Sequence, residues 1–214
     1  MNIVTYKMKG WWREEPKKFL FFHVPKTAGS SINHVLKRND LNTGWKRDKE
    51  FNFHDPLFSL ERRNPEALMN HSFKFTVVRN PFTRTYSCYQ YFNKVNKEKV
   101  SFSDYLHFAR VKKFPDVCGD VEFWRTPMLF YPQTFFLYNM EGKIGVDKIY
   151  KYEDLSPLKK MISKRLKRKM DLPHMNHGKK EGYYESYTEE NINIVREIFS
   201  IDFLNFNYSL KFNE

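Results

Sequence analysis

Apolar and polar positions follow two rhythms along the chain. The run Lys18-Phe-Leu-Phe-Phe22-His-Val24 is short, almost wholly apolar and stopped by Pro25, which predicts a buried strand. After the loop Pro25-Lys-Thr-Ala-Gly29, residues Ile32, Val35 and Leu36 recur at helical spacing, with Ser30 or Ser31 able to cap the helix. Residues 40–58 read as a polar loop with aromatics, and Asn64-Pro65 as the opening of a short helix to Leu68. Phe73–Val78 is a second strand. It ends at Arg79-Asn80-Pro81, where Asn80 suits a cap and Pro81 the first helical position of a helix running to Phe92.

Ser101 and Asp104 have capping-box spacing ahead of a helix whose buried face is Phe102, Tyr105, Leu106 and Ala109. Residues 111–131 carry Pro115, Gly119 and Pro127 and read as irregular. Val146–Tyr152 is a third strand. Ser156-Pro157 then caps a helix with Leu158, Met161, Ile162 and Leu166 on one face and Lys159, Lys160, Lys164, Arg165, Lys167 and Arg168 on the other. The last helix opens at Thr188, carries Glu189 and Glu190 in its first turn, and buries Ile192, Val195, Ile198 and Phe199. Strands alternating with helices predict an α/β fold with a mostly parallel central sheet flanked by helices. Ligands of such folds collect at the carboxyl ends of the strands.

Composition narrows the function. The chain has 214 residues, enough for a core without disulfides, and is read as a single domain over 1–214 with an N-terminal extension at 1–17. Its 41% hydrophobic and 29% charged residues exclude a disordered tail and a membrane bundle. No apolar run approaches the roughly 20 residues of a membrane span, and residues 1–18 lack a signal-peptide pattern, so the expected location is cytoplasmic. Cys88 and Cys118 have no metal-pair spacing, so neither a disulfide framework nor a metal site is expected. Lys plus Arg exceed Asp plus Glu by 37 to 25, a net charge of +12. That excess fits an anionic partner (nucleic acid, polyanionic sugar, nucleotide or membrane surface) or simply a lysine-rich solvated surface.

Both strand–loop–helix junctions carry candidate chemistry. The first is Pro25-Lys26-Thr27-Ala28-Gly29-Ser30-Ser31, which lacks the Gly-Lys-Ser/Thr order of a Walker A loop. It keeps a cation, a small-residue turn, two hydroxyls and a helix N-terminus, which suits either a phosphate loop or an ordinary turn capped by Ser30. At the second, Arg79 leaves the strand and Ser87 lies two turns into the helix, on one face with Arg84, Cys88 and Tyr91. Arginine suits bidentate phosphate recognition; the alternative is that Arg79 caps the sheet edge with an acid and Ser87 is a small packing residue.

Pro25-Lys-Thr-Ala-Gly-Ser-Ser31 resembles the 5′-phosphosulfate loop of PAPS-dependent sulfotransferases. The closest likeness is to the carbohydrate branch that includes heparan 2-O-sulfotransferase-like and bacterial family 2 enzymes. Arg79-Asn-Pro with Ser87 eight residues on is similar to that family's 3′-phosphate motif, and the two stand in the family's order. Likeness continues through Pro132-Gln133-Thr134, Tyr152-Glu-Asp-Leu155, Leu172–Asn176 and Tyr184–Tyr208; the stretch 94–125 matches least. The resemblance implies a three-layer P-loop-like fold, an insert at 94–131 on the acceptor side, PAPS as donor, no metal, and a hydroxyl acceptor, a carbohydrate. It implies Lys26 at the bridging oxygen, Thr27, Ala28, Gly29, Ser30 and Ser31 on the 5′-phosphate, and Arg79 and Ser87 on the 3′-phosphate. Lys179 and Lys180 would close a basic loop over the same phosphate. A His between the first helix and second strand is the family's candidate base, here His54, with Asp55 able to orient it; His23 reads as a satisfied core histidine. The rival readings are a P-loop-like nucleotide kinase, which lacks a clear Walker B acid, and a basic nucleic-acid-binding module, which lacks any recognised motif.

Overall fold

A computed structural model describes residues 18–38, 54–63, 72–96, 99–111, 127–167, 169, 171–172 and 182–213. The chain divides into two compact units, Met1–Val78 with Phe135–Asn176, and Arg79–Thr134 with His177–Glu214.

The first unit is built on three parallel strands, β1 (Lys18–Phe22), β2 (Ser72–Val78) and β3 (Lys148–Lys151), ordered β1-β2-β3. The register pairs Phe21 with Phe75 and Val77 with Tyr150. Those four side chains fall on one face of the sheet. They pack with Ile32, Val35 and Leu36 of helix α1 (Gly29–Arg38) and Leu158 and Ile162 of helix α5 (Ser156–Leu166). Leu20, Phe22, Thr76 and Val78 alternate to the other face and are buried as well. Burial on both faces is why these strands read as continuous apolar runs rather than alternating ones. Thr76, the polar exception, donates its hydroxyl to the carbonyl of Phe22 at 2.8 Å. The sheet is thus α/β, parallel and flanked by helices, as the alternation of elements requires.

Helix α2 (Leu57–Arg63) begins inside the stretch that reads as a polar loop. Only Leu57 and Leu60 are buried in it, too few apolar positions to make a pattern. Pro56 opens it by accepting from the amides of Ser59 and Leu60, and Arg63 pairs with Asp55 at 2.5 Å. At α5 the cap is Leu155, not Ser156; the carboxylate of Asp154 accepts the Ser156 amide at 2.9 Å. The expected helix at 64–68 and the N-terminal extension at 1–17 lie outside the described residues.

The second unit is helical. Helix α3 (Pro81–Val95) starts as its sequence requires: Asn80 accepts from the Phe82 amide at 2.9 Å and Pro81 takes the first turn. Helix α4 (Phe102–Val111) has a reciprocal box. The Asp104 amide donates to the Ser101 hydroxyl at 3.1 Å and the Ser101 amide to the Asp104 carboxylate at 3.3 Å. Helix α6 (Tyr183–Ser186) precedes α7 (Glu189–Ile198), which Thr188 caps through the Asn191 amide. The single last helix of the sequence reading ends at Ile198, and buried Phe199 joins it to a further helix, α8 (Ser200–Phe206). Phe82, Phe92, Phe102, Tyr105, Val195 and Phe203 form the core of this unit. Its rings meet edge to face, Phe82 against Phe203 at 5.1 Å and against Tyr187 at 5.7 Å.

Candidate active site

The loop between β1 and α1 is strained. Lys26 and Ala28 both have φ of 67°, in the left-handed region. For residues with a Cβ that conformation costs about 1–2 kcal/mol each, and strain of this kind is stored where function needs it. Thr27, fully buried between them, ties the turn by donating its hydroxyl to the Val24 carbonyl at 2.8 Å. The helix begins at Gly29, with the Ile32 amide on the Ala28 carbonyl at 3.1 Å. Ser30 and Ser31 are therefore first-turn residues rather than caps. Amides of a first turn face outward at the positive end of the helix dipole. Ser30 is exposed, Ser31 is buried and Lys26 is half-buried.

Gly29 has a second constraint. A Cβ there would come within 1.7 Å of His23 Cδ2, so the imidazole of His23 lies directly against it. The His54 ring lies against that of His23, with centroids 4.4 Å apart and planes tilted by 56°. Its Nδ1 lies 2.8 Å from the His23 carbonyl oxygen. A carbonyl only accepts, so Nδ1 carries the proton, and in the neutral ring the lone pair sits on Nε2. The structure thus brings His54 beside the loop of Lys26 and Gly29 and fixes its tautomer. Asp55 pairs with Arg63, while the His23 carbonyl supplies an orienting bond to His54. His23 itself is not a satisfied core histidine: its buried Nδ1 has no hydrogen-bond partner among the described residues. Burial pushes its pKa well below the usual imidazole value, and the neighbouring His54 and Lys26 add to the effect.

In the second unit, Arg79 is held at three points. The carboxamide of Gln133 accepts from the Arg79 amide and donates to the Arg79 carbonyl, each at 2.8 Å. Arg79 Nε donates to the Thr83 hydroxyl at 3.0 Å. Gln133 is fully buried and is held in turn by Asp202, which accepts from the amide of Gln133 at 2.7 Å and from the amide and hydroxyl of Thr134 at 2.8 and 2.7 Å. Burial raises the Asp202 carboxyl above its usual range, although the Arg84 charge and these donors oppose it. The helix face expected from Arg84, Ser87, Cys88 and Tyr91 splits. Arg84 and Cys88 are buried, Arg84 donating to the Tyr131 carbonyl at 3.0 Å, while Ser87 and Tyr91 stay partly open.

Thr83, Gln133 and Asp202 escaped the sequence reading as site residues. Gln133 stood in a segment of family likeness, but only its two bonds to Arg79 reveal its place. Lys179 and Lys180 lie outside the described residues. Among the described residues there is no group of three or more His, Cys, Asp or Glu able to hold a metal ion. Nor is any helix there long and apolar enough to cross a membrane.

No curated protein and no solved structure matches the chain. A family model described as the sulfotransferase family matches residues 9–209, a span that holds both strand–loop–helix junctions, and the chain belongs to that family of sulfuryl-transferring enzymes.

Proposed function

We propose that this sulfotransferase takes its sulfuryl group from PAPS and delivers it to a carbohydrate hydroxyl, with His54 as general base. The observation that carries the reading is His54 itself, held by Nδ1–H on the His23 carbonyl beside the strained loop of Lys26. The residues present suit the donor: a cation and small residues at a helix start for the 5′-phosphosulfate, and an arginine with a hydroxyl for the 3′-phosphate. In this reading the backbone from Thr27 to Ser31 receives the 5′-phosphate, Arg79 and Ser87 the 3′-phosphate, and Lys179 and Lys180 close over the latter. The chain works as one domain, with the 94–131 insert shaping acceptor specificity and no metal taking part. Membership of the family selects sulfuryl transfer over the nucleotide-kinase and nucleic-acid readings.

The chemistry divides among few groups. The acceptor oxygen attacks sulfur as its proton passes to His54 Nε2. The bond from sulfur to the bridging oxygen breaks, and negative charge develops on the departing phosphate oxygen. Lys26 neutralises that charge, which is where preorganised electrostatics contribute most. A loose, in-line transfer needs positioning more than covalent chemistry.

Calorimetry with 3′-phosphoadenosine 5′-phosphate tests the donor assignment. The wild type should bind at micromolar concentrations, and Lys26→Ala and Arg79→Ala more weakly; no wild-type binding would overturn it. His54→Ala should bind the nucleotide normally yet lose turnover with labelled donor. Undiminished turnover would remove His54 as base.

A further inference from the structure

We infer that Gln133 is a positioning residue for recognition of the 3′-phosphate, acting through the backbone of Arg79 and anchored by Asp202. This deepens the proposed assignment of Arg79 and rests on it.

The geometry begins where strand β2 runs out. The carbonyl of Val78 still has a strand neighbour, accepting the Tyr152 amide at 2.7 Å. One residue later, both backbone groups of Arg79 turn to a side chain. Gln133 Oε1 accepts a hydrogen bond from the amide and Nε2 donates one to the carbonyl, both at 2.8 Å. A carboxamide has the same donor and acceptor as a peptide group, so Gln133 supplies the pair of bonds that an adjacent strand would make. The clamp fixes φ and ψ of Arg79, and so the direction in which its side chain departs. Further along, Nε is fixed on Thr83, whose hydroxyl in turn bonds the Asn80 carbonyl at 3.2 Å. With stem and Nε both held, the terminal amino fork has a set direction before any ligand arrives. Preorganisation of that kind reduces what binding must spend on ordering a long side chain.

The clamp is itself rigid. Gln133 and Asp202 are both fully buried, and the carboxylate accepts from two successive amides, those of Gln133 and Thr134. Asn205 adds a longer contact to the Thr134 hydroxyl at 3.4 Å. A glutamine kept only for packing would not need both ends of its amide on one residue.

The test separates the positioning of Arg79 from general stability by a ratio. Binding of 3′-phosphoadenosine 5′-phosphate and of adenosine 5′-phosphate is measured by calorimetry on wild type, Arg79→Ala, Gln133→Met, Gln133→Glu and the Arg79→Ala/Gln133→Met double variant. The ratio of the two affinities reports the 3′-phosphate alone. Wild type should prefer the bisphosphate and Arg79→Ala should erase that preference. Gln133→Met, which keeps volume but has no hydrogen bonds, should lower the ratio about tenfold with adenosine 5′-phosphate binding unchanged. Gln133→Glu keeps the acceptor for the Arg79 amide, loses the donor, and should lie between. In the Arg79→Ala background Gln133→Met should leave the ratio where Arg79→Ala put it. Equal losses for both nucleotides, or an unchanged ratio in the Gln133 variants, would overturn the inference while leaving Arg79 in place. A wild type that shows no preference would instead overturn the assignment of Arg79. If Gln133→Met does not fold, the isosteric Gln133→Glu carries the same comparison.

Discussion

Replacing Gly29 with alanine tests the packing beneath the loop between β1 and α1, because its stability effect should change sign with the residue at position 23. Gly29 is the first residue of α1 and has no positive φ, so its backbone does not need a glycine. Helix propensity alone predicts that alanine would stabilise by about 0.5–1 kcal/mol. Sterics predict the reverse. The new methyl would lie 1.7 Å from His23 Cδ2 and 1.9 Å from Nε2, far inside contact distance, so the imidazole must move. Overpacking of this kind costs about 1–3 kcal/mol, which outweighs the propensity gain. For a chain of this size each kcal/mol shifts Tm by roughly 2–4 °C, so the net cost of up to about 2.5 kcal/mol should lower Tm by up to roughly 10 °C. In a His23→Ala background the ring is gone and only propensity remains. There the same substitution should raise Tm by about 1–4 °C. Thermal unfolding of the four variants is the assay. An effect of the same sign in both backgrounds would refute the argument that the imidazole is what excludes a side chain from position 29.

Three further outcomes follow from particular contacts. Asp202→Ala strips the acceptor from the buried Gln133 and Thr134 amides and from the Thr134 hydroxyl, so urea unfolding should show a loss of about 1–3 kcal/mol; a cost under about 1 kcal/mol would contradict that role. His23 has a lowered pKa in the fold, so above the unfolded value of 6.5 neither state takes up its proton and its contribution to stability is complete. As pH falls below 6.5 the unfolded chain protonates first, and stability should drop by up to about 1.4 kcal/mol per pH unit until the folded pKa is reached. His23→Gln should remove that component, and identical pH profiles for the two proteins would exclude it. Ser101→Ala breaks the box that opens α4 and should cost about 0.5–2 kcal/mol in denaturant titration, whereas no change would mean the box contributes little.

What the sequence disclosed was mostly local. Asn80-Pro81, Ser101 with Asp104, and Thr188 announce helix starts because the capping groups lie within three residues of the amides they satisfy. Strands β1 and β2 were legible as unbroken apolar runs because both faces of the sheet are covered. Helix α2 was hidden since two leucines three residues apart form no period, and tertiary burial rather than propensity sustains it. Ser30 and Ser31 are not the caps they suggest because the helix starts two or three positions earlier than they would place it, at a glycine against which an imidazole is packed. At the candidate site, the residue types of Lys26, His54 and Arg79 could be picked out by order and likeness. The bond from His54 to His23 spans 31 positions and that from Asp202 to Gln133 spans 69, and no pattern in a single chain encodes such pairings.

The carboxylate at position 202 also places a condition on biosynthesis. The ribosome delivers Arg79 long before it delivers the acid that anchors its glutamine clamp, 123 positions later. At ordinary elongation rates of about 5–20 residues per second, that gap is roughly 6–25 s. A polypeptide halted short of that acid would carry both strand–loop–helix junctions and still lack the group that holds the clamp on its arginine. The clamped geometry of Arg79 is therefore completed only as translation finishes.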